Sequence, residues 1–363
     1  MYEKRIGIVG CGNISGIYLT NLTKMFGRRV KVTALTDIIP ERAQKASADY
    51  KIPYIEKFDD LINSPDVDII LNITEPKRHY DVALAAVKAG KHIYNEKPLC
   101  ATRKEAQEIM KIAAKKNLRI GGAPDTFLGA GIQTCRKLID EGKIGRPVAA
   151  TAFMACHGHE HWHPGPEFYY KEGGGPMFDM GPYYLTALVN LMGPVVRVSG
   201  SAKKSFDTRR ITSSPLKGTV VNVDVPTHIT GVMDFANGAV ATVITSFDVY
   251  AHTLPWIEIY GSEGSLRVPD PNTFGGHVYI SRLMEGTWKE VPLIKSYPEN
   301  SRGLGITDMA DAIEERRPHR ASAEMTYHVL DVMHGFYDAS RTGLYYKVKS
   351  SFGQPAPLIK LLG

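Results

Sequence analysis

The sequence predicts an α/β chain in two parts: an open parallel sheet with helices on both faces, then an α+β domain with an open, mostly antiparallel sheet. Three observations carry this. Strand and helix signals alternate over the first third of the chain. Beyond residue 122 the alternation gives way to strand pairs joined by tight turns. The 363 residues exceed one core of ordinary size and suit two domains. The division is drawn as 1–122 and 123–363.

The first part opens with RIGIVG, a short apolar strand ending in glycine, and the amphipathic stretch ISGIYLTNLTKMF. VKVTALTD is a second strand, and PERAQKASADY starts a helix with Pro40 in its first turn. VDIILNIT is nearly all apolar, as a strand buried on both faces requires. HYDVALAAVKAG reads as a helix ending at Gly90, KHIYNEKP as a strand, and TRKEAQEIMKIAAKKN as a helix with a Thr102–Glu105 capping box. LRIGGAP closes a series that defines an open parallel sheet.

A helix is expected at roughly 130 to 141. THITGVMDFANGAVATVITSF reads as a hairpin turning at Asn237–Gly238, and WIEIYGSEGSLRVPD as another turning at SEGS. HVYISRL and TWKEVPL extend the strand run. GITDMADAIEERR and MTYHVLDVMHGFYDASRTG read as two late helices, the second ending at Gly343. KSFDTRRITSSPLKG and the last dozen residues look disordered.

The chain is 43% hydrophobic and 23% charged, ordinary for a globular protein. Its 44 Lys and Arg against 38 Asp and Glu give +6, with no basic stripe of the kind that grips nucleic acid. No apolar run reaches membrane-spanning length. The four cysteines, Cys11, Cys100, Cys135 and Cys156, form no CxxC and suit a reducing compartment. The amino terminus enters a strand at once, so no signal peptide is expected, and the cytoplasm is the expected location.

The first strand runs into Gly10-Cys11-Gly12-Asn13-Ile14-Ser15. In a dinucleotide-binding Rossmann domain the first glycine makes the tight turn and the second admits the pyrophosphate to a helix N-terminus. Ser15 stands where a third glycine or alanine is usual. Asp37 ends the second strand about 20 residues on, where it accepts hydrogen bonds from a ribose diol and repels a 2′-phosphate. NAD is therefore the expected cofactor, with Arg42 leaving NADP open.

Glu96-Lys97-Pro98 ends the fifth strand. Ligands of open α/β sheets bind beyond the carboxyl ends of the strands, which directs Lys97 toward the nicotinamide. Pro98 favours an extended Lys97 and permits a cis bond. Three glycines then open GGGPMFDMGPYY at residues 173–184, followed by Asp179, Gly181, Tyr183 and Tyr184. Four residues apart on one helix, Asp179 and Tyr183 would share a face. Asp179 could equally cap that helix.

With GCGNIS, the block ITEPKRHYDVALAAVKAGKHIYNEKP, GGGPMFDMGPYY and the domain order, the chain resembles the glucose–fructose oxidoreductase, inositol dehydrogenase and MocA (Gfo/Idh/MocA) family. The resemblance implies NAD(P)-dependent oxidation or reduction of a sugar-like alcohol. It implies Lys97 as the proton-handling residue and Asp179 as a substrate-facing acid. The family's second motif has histidine where this chain has Tyr183, as relatives resembling dihydrodiol and xylose dehydrogenases do. The implied cofactor contacts are Gly10, Gly12, Asn13, Ile14, Ser15, Asp37, Thr74, His79, Glu96 and Lys97.

Oxidising a secondary alcohol requires a hydride acceptor and a group that takes the hydroxyl proton. A free phenol titrates near ~10 and a lysine near ~10.4; burial and a nearby nicotinamide cation lower the lysine. Lys97 ranks first as the base and Tyr183 second. The segment His157-Gly-His159-Glu-His161-Trp-His163 would place four histidines on one face of a strand. A substrate loop, with Trp162 stacking on a sugar ring and His163 bonding a hydroxyl, is preferred to a metal site. Catalytic Lys97, Asp179 and Tyr183, with Trp162 and His163 at the substrate, complete the expected site. The alternatives are a glycosidase acting by transient oxidation and elimination, and a non-enzymatic nucleotide sensor. A homo-oligomer, dimer or tetramer, is expected through the second domain's sheet.

Overall fold

A computed structural model describes residues 4–282, 286–358 and 360–362. The chain divides into two compact units. One comprises the chain up to Leu128 together with Glu299–Leu330, and the other Gly129–Pro298 with Asp331–Leu361. The expected cut at 122 misses this return of residues 299–330 to the first unit.

In the first unit, β1 (Lys4–Val9), β2 (Val30–Thr36), β3 (Ile69–Asn72), β4 (His92–Asn95) and β5 (Ile120–Gly122) form a five-stranded sheet in the order β2-β1-β3-β4-β5. Every pairing is parallel. A single parallel bridge, Leu35 to Tyr54, adds the stub of a further strand outside β2. Counting that stub, the strand ending in Glu96-Lys97-Pro98 is the fifth; among full strands it is the fourth. The helices are α1 (Ser15–Thr20), α2 (Pro40–Tyr50), α3 (Phe58–Asn63), α4 (His79–Lys88) and α5 (Arg103–Lys115). A π-helical turn, Asn21–Met25, prolongs α1. The capping box of α5 is present, with the Glu105 N–H donating to Thr102 Oγ1 and the Thr102 N–H to Glu105 Oε2.

The helix Leu304–Glu314 completes this unit. Its N-terminal Gly303 and Gly305 N–H groups donate to Asp125 at 2.9 and 3.0 Å. Ala321 accepts from the Gly122 N–H, and Met309 packs over Gly121. Asp125 is 1% exposed, and burial pushes its carboxyl up to about 6 despite those two donors.

In the second unit a nine-stranded sheet runs β15-β14-β13-β12-β6-β11-β10-β7-β16. Its strands are β6 (Pro147–Ala155), β7 (Val195–Lys203), β10 (His228–Phe235), β11 (Val240–Ser246), β12 (Ile257–Gly261), β13 (Gly264–Val268), β14 (Val278–Arg282), β15 (Lys289–Val291) and β16 (Tyr346–Lys347). All pairings are antiparallel except β6 with β11. Leu283, expected in the β14 strand, lies outside the described residues. A separate ribbon pairs β8 (Thr208–Arg210) with β9 (Val220–Asn222). Both expected hairpins form, β10–β11 around Asn237–Gly238 and β12–β13 around Ser262–Gly264. Helices α6 (Ala130–Asp140), α7 (Gly175–Asp179) and α8 (Gly181–Met192) cover one face of the large sheet. Ala150, Ala152 and Met154 of β6 are buried there, while Thr151 and Phe153 on the other face are half-buried.

Two stretches expected to be disordered are ordered. Residues 204–218 include β8, and Arg209 within them is 5% exposed. In the last dozen residues Phe352 and Leu358 are buried and the Leu358 N–H donates to Gln133; Ile359 and Gly363 lie outside the described residues.

Candidate active site

In the first unit the glycine loop, Thr74 and Lys97 follow β1, β3 and β4. The sheet is parallel, so all three stand at one edge, the carboxyl edge. The sheet order reverses between β1 and β3, and the crevice of such a fold opens at that point. Gly10 has φ +99°, and a Cβ there would meet the Ile73 carbonyl oxygen at 2.9 Å and the Thr74 nitrogen at 3.0 Å. Only glycine makes this turn. At Gly12 a Cβ would meet nothing within 4 Å. The second glycine therefore faces open space at the start of α1, whose first N–H groups have no side-chain cap. Ser15 folds inward, its hydroxyl donating to the Gly12 carbonyl at 2.7 Å. This explains why a small polar residue serves at the third position.

Asp37 braces the same loop. Its carboxylate accepts the Cys11 N–H at 2.6 Å and the Ile39 N–H at 2.7 Å. A carboxylate has about four acceptor positions, so roughly two remain for a ribose diol. The open cradle at Gly12, the uncapped N-terminus and this acid fit an adenine dinucleotide.

Lys97 is tied in from behind. Its N–H donates to Glu96 Oε2 at 2.9 Å, and the Tyr18 phenol donates to Glu96 Oε1 at 2.6 Å. Burial first, then the Glu96 charge, pushes the Tyr18 phenol well above its usual range, so it stays a donor. The Lys97–Pro98 bond is cis. His79 is fully buried, with Nδ1 2.7 Å from the Pro98 carbonyl and Nε2 3.1 Å from that of Thr74. Each ring nitrogen faces a backbone carbonyl, and the neutral ring donates to one of them, so His79 sits between the two loops. Glu96 is 9% exposed and likewise supports Lys97.

In the second unit GGGPMFDMGPYY forms a broken helix. α7 ends at Asp179 and α8 begins at Gly181, with Met180 (φ −106°, ψ −26°) between. Asp179 and Tyr183 thus lie on either side of a break, not on one regular helix. Asp179 ends α7 and caps neither helix; the cap positions are Gly174 and Met180, without side-chain bonds. Gly174 has no room for a side chain, since a Cβ would lie 2.6 Å from the Phe168 carbonyl oxygen. Tyr183 is 7% exposed.

Asp179 meets a histidine that the sequence did not single out. Its Oδ2 lies 3.0 Å from His159 Nε2, and the two side chains are 13% and 12% exposed. Residues 157–163 are turns, not a strand, so the four histidines share no face. His157 stacks on Tyr250 at 3.7 Å. The His163 ring accepts the Gly165 N–H at 3.0 Å and sits edge-on to Phe168 and Tyr169. Burial, then the charge of His159, pulls the His163 imidazole pKa down. Trp162 is 56% exposed and edge-on to His159. Among the described residues no three His, Cys, Asp or Glu side chains gather as a metal site.

The next residue anchors this loop. Glu160 is gripped by Arg209 at 3.0 Å and by the Tyr170 phenol, and Arg209 also pairs with Asp248. The side chains of Arg209, Glu160 and Asp248 are 5%, 7% and 9% exposed. Gly158 has φ +75°, and a Cβ there would collide with the Tyr170–Glu160 pair. That glycine turn directs His159 toward α7.

Two family models match the chain. Residues 4–122 match the oxidoreductase family with an NAD-binding Rossmann fold, and residues 132–267 match the GFO/IDH/MocA C-terminal domain. The chain belongs to the GFO/IDH/MocA oxidoreductase family. It is 35% identical over 153 residues to an inositol 2-dehydrogenase/D-chiro-inositol 3-dehydrogenase of Lactiplantibacillus plantarum, covering 40% of this chain and 42% of that protein. To a 1,5-anhydro-D-fructose reductase of Ensifer adhaerens it is 26% identical over 267 residues, covering 72% and 74%. The fold matches a levoglucosan dehydrogenase solved with NADH and L-sorbose, with TM-score 0.81, 20% identity and 96% and 99% of the two chains covered. No helix among the described residues is long and apolar enough to cross a membrane.

Proposed function

We propose that this protein is an NAD-dependent dehydrogenase or reductase acting between a hydroxyl and a carbonyl of a sugar, polyol or related cyclic alcohol. The observation that carries the proposal is the carboxyl edge of the parallel sheet. There an open glycine cradle, a strand-end aspartate and a braced lysine stand together. Residues 1–122, with 299–330 packed on them, supply the nucleotide-binding side, and the rest of 123–363 the substrate side.

NAD, when bound, supplies the hydride acceptor. Gly10–Ser15 hold its pyrophosphate, Asp37 its adenosine ribose, and Thr74 and Lys97 line the same edge. Lys97 takes the proton of the reacting hydroxyl, with Tyr183 assisting, and Asp179 faces the substrate. Trp162 offers an exposed ring on which a sugar face stacks. The test is a screen of NAD and NADP reduction against free sugars, polyols and glycosides. NADH accumulating with a free sugar or polyol supports the reading. Aglycone release without net NADH would replace it with transient oxidation and elimination.

Asp37→Ala should weaken NAD binding and shrink the preference for NAD over NADP by roughly tenfold or more, the worth of a charged hydrogen bond. Cofactor titration of both proteins checks this. A wild type that prefers NADP, or an unchanged ratio in the variant, removes Asp37 from its role.

The second unit is proposed to pair with another copy of the chain through its nine-stranded sheet. The face away from α6–α8 carries Thr151, Phe153, Thr242, Ile244 and Tyr260, all half-buried or exposed. A β-branched and aromatic sheet surface of this kind is ordinarily covered. Sedimentation at micromolar concentration should give a dimer or tetramer; a monomer would refute the pairing. A cytoplasmic location belongs to the same proposal, supported by four free cysteines, three of them buried.

A further inference from the structure

We propose that His159, oriented by Asp179, is the residue that reads a hydroxyl of the substrate. This rests on the functional reading above and names the recognition element within it. The argument begins with the proton. Nε2 of His159 is 3.0 Å from the Asp179 carboxylate, which only accepts. In the neutral tautomer that donates from Nε2 to Asp179, Nδ1 carries a lone pair. Nδ1 has no hydrogen-bond partner among the described residues. An acceptor of this kind, on a side chain only 12% exposed, selects a donor. A hydroxyl donates to it; a carboxylate or a carbonyl does not.

The surroundings suit a polyol ring. Tyr169 and Phe247 lie 4.2 and 4.7 Å from the imidazole, centroid to centroid, and Trp162 lies 5.3 Å away, edge-on. These rings exclude water on several sides and leave the exposed indole for the apolar face of a sugar. The other titratable groups near the ring are His163 and Tyr169. Glu160, Arg209 and Asp248 form a buried ion triad beside it, two carboxylates on one guanidinium. His159 is also fixed: Gly158 turns the chain and the buried Glu160–Arg209 pair holds the following residue. The imidazole is thus a rigid reader on a braced loop, the arrangement that gives discrimination between substrates.

The experiment compares a turned-over sugar or polyol with its monodeoxy analogues. In the wild type, loss of one particular hydroxyl should lower kcat/KM by about tenfold, the worth of one hydrogen bond. His159→Ala should lower kcat/KM for the parent by a similar factor and erase the penalty for that analogue. His159→Leu removes both ring nitrogens at similar volume and should discriminate no better than His159→Ala. This variant keeps the volume filled should the alanine form fold poorly. Full discrimination retained in both variants overturns the inference while leaving the oxidoreductase reading intact. A second readout separates the two: the His159 ring-nitrogen NMR signals of NAD-loaded protein on adding D-xylose or myo-inositol. A shift without turnover of any polyol supports the reader and refutes the reading. No shift and no turnover refutes both.

Discussion

Lys97→Met should lower turnover by ~10² or more, the usual worth of a positioned acid–base group. The replacement keeps the bulk of the side chain and removes its charge. It also keeps the backbone N–H that donates to Glu96 at 2.9 Å, so the loop after β4 stays in place. NAD affinity should change little, because the proposed pyrophosphate contacts lie at Gly10–Ser15. Tyr183→Phe should cost less if Tyr183 assists, and as much or more if it is the base. The double variant should lose less than the product of the two single effects if both serve the one proposed proton path. An active Lys97→Met enzyme with Tyr183→Phe inert would reverse the ranking. Near-normal rates in both single variants would remove the proposed site.

The second large effect falls on stability. Arg209→Met leaves the carboxylates of Glu160 and Asp248, 7% and 9% exposed, without their cation. Stranding buried charge in this way costs about 3–5 kcal/mol, which lowers Tm by on the order of 10 °C in a unit of this size. Thermal denaturation measures it, and proteolysis should cut the freed segment 204–218 first. The combined variant Arg209→Met, Glu160→Gln, Asp248→Asn should recover part of the loss, since the uncompensated charge is gone. An unchanged Tm in Arg209→Met would show that the triad does not hold the loop.

The first unit was legible because its signals are local. Apolar strands, GCGNIS, the acid at Asp37 and the capping box of α5 each sit within a few residues of their structural consequence. The second unit was less so. β6, the middle of the nine-stranded sheet, reads PVAATAFMA, and its small alanines give little alternation. β7, VVRVSGSAK, is broken by serine and glycine. Segment 204–218 looked disordered because its polar residues carry no pattern; its order comes from one arginine meeting carboxylates 49 and 39 positions away. Of the proposed site, Lys97, Asp179 and Tyr183 are marked by motif. His159 was passed over in favour of His163, because the choice depends on a left-handed Gly158 and a partner 20 residues on. The stretch GITDMADAIEERR reads as a helix and forms one at Leu304–Glu314, but nothing local says which sheet a late helix will cover.

That return has a consequence for how the protein is made. About 170 residues separate Leu128 from Glu299, and all must leave the ribosome before the first unit is whole. At roughly 5–20 residues per second, this takes on the order of ten to thirty seconds. Through that interval Tyr94 and Gly121 lack the helix that buries them, and Asp125 lacks the two N–H groups that satisfy it. The nascent nucleotide-binding fold is therefore an incomplete body with an apolar flank, open to chaperones, until the tail of the chain closes it. A fragment ending at residue 128 would hold that condition permanently.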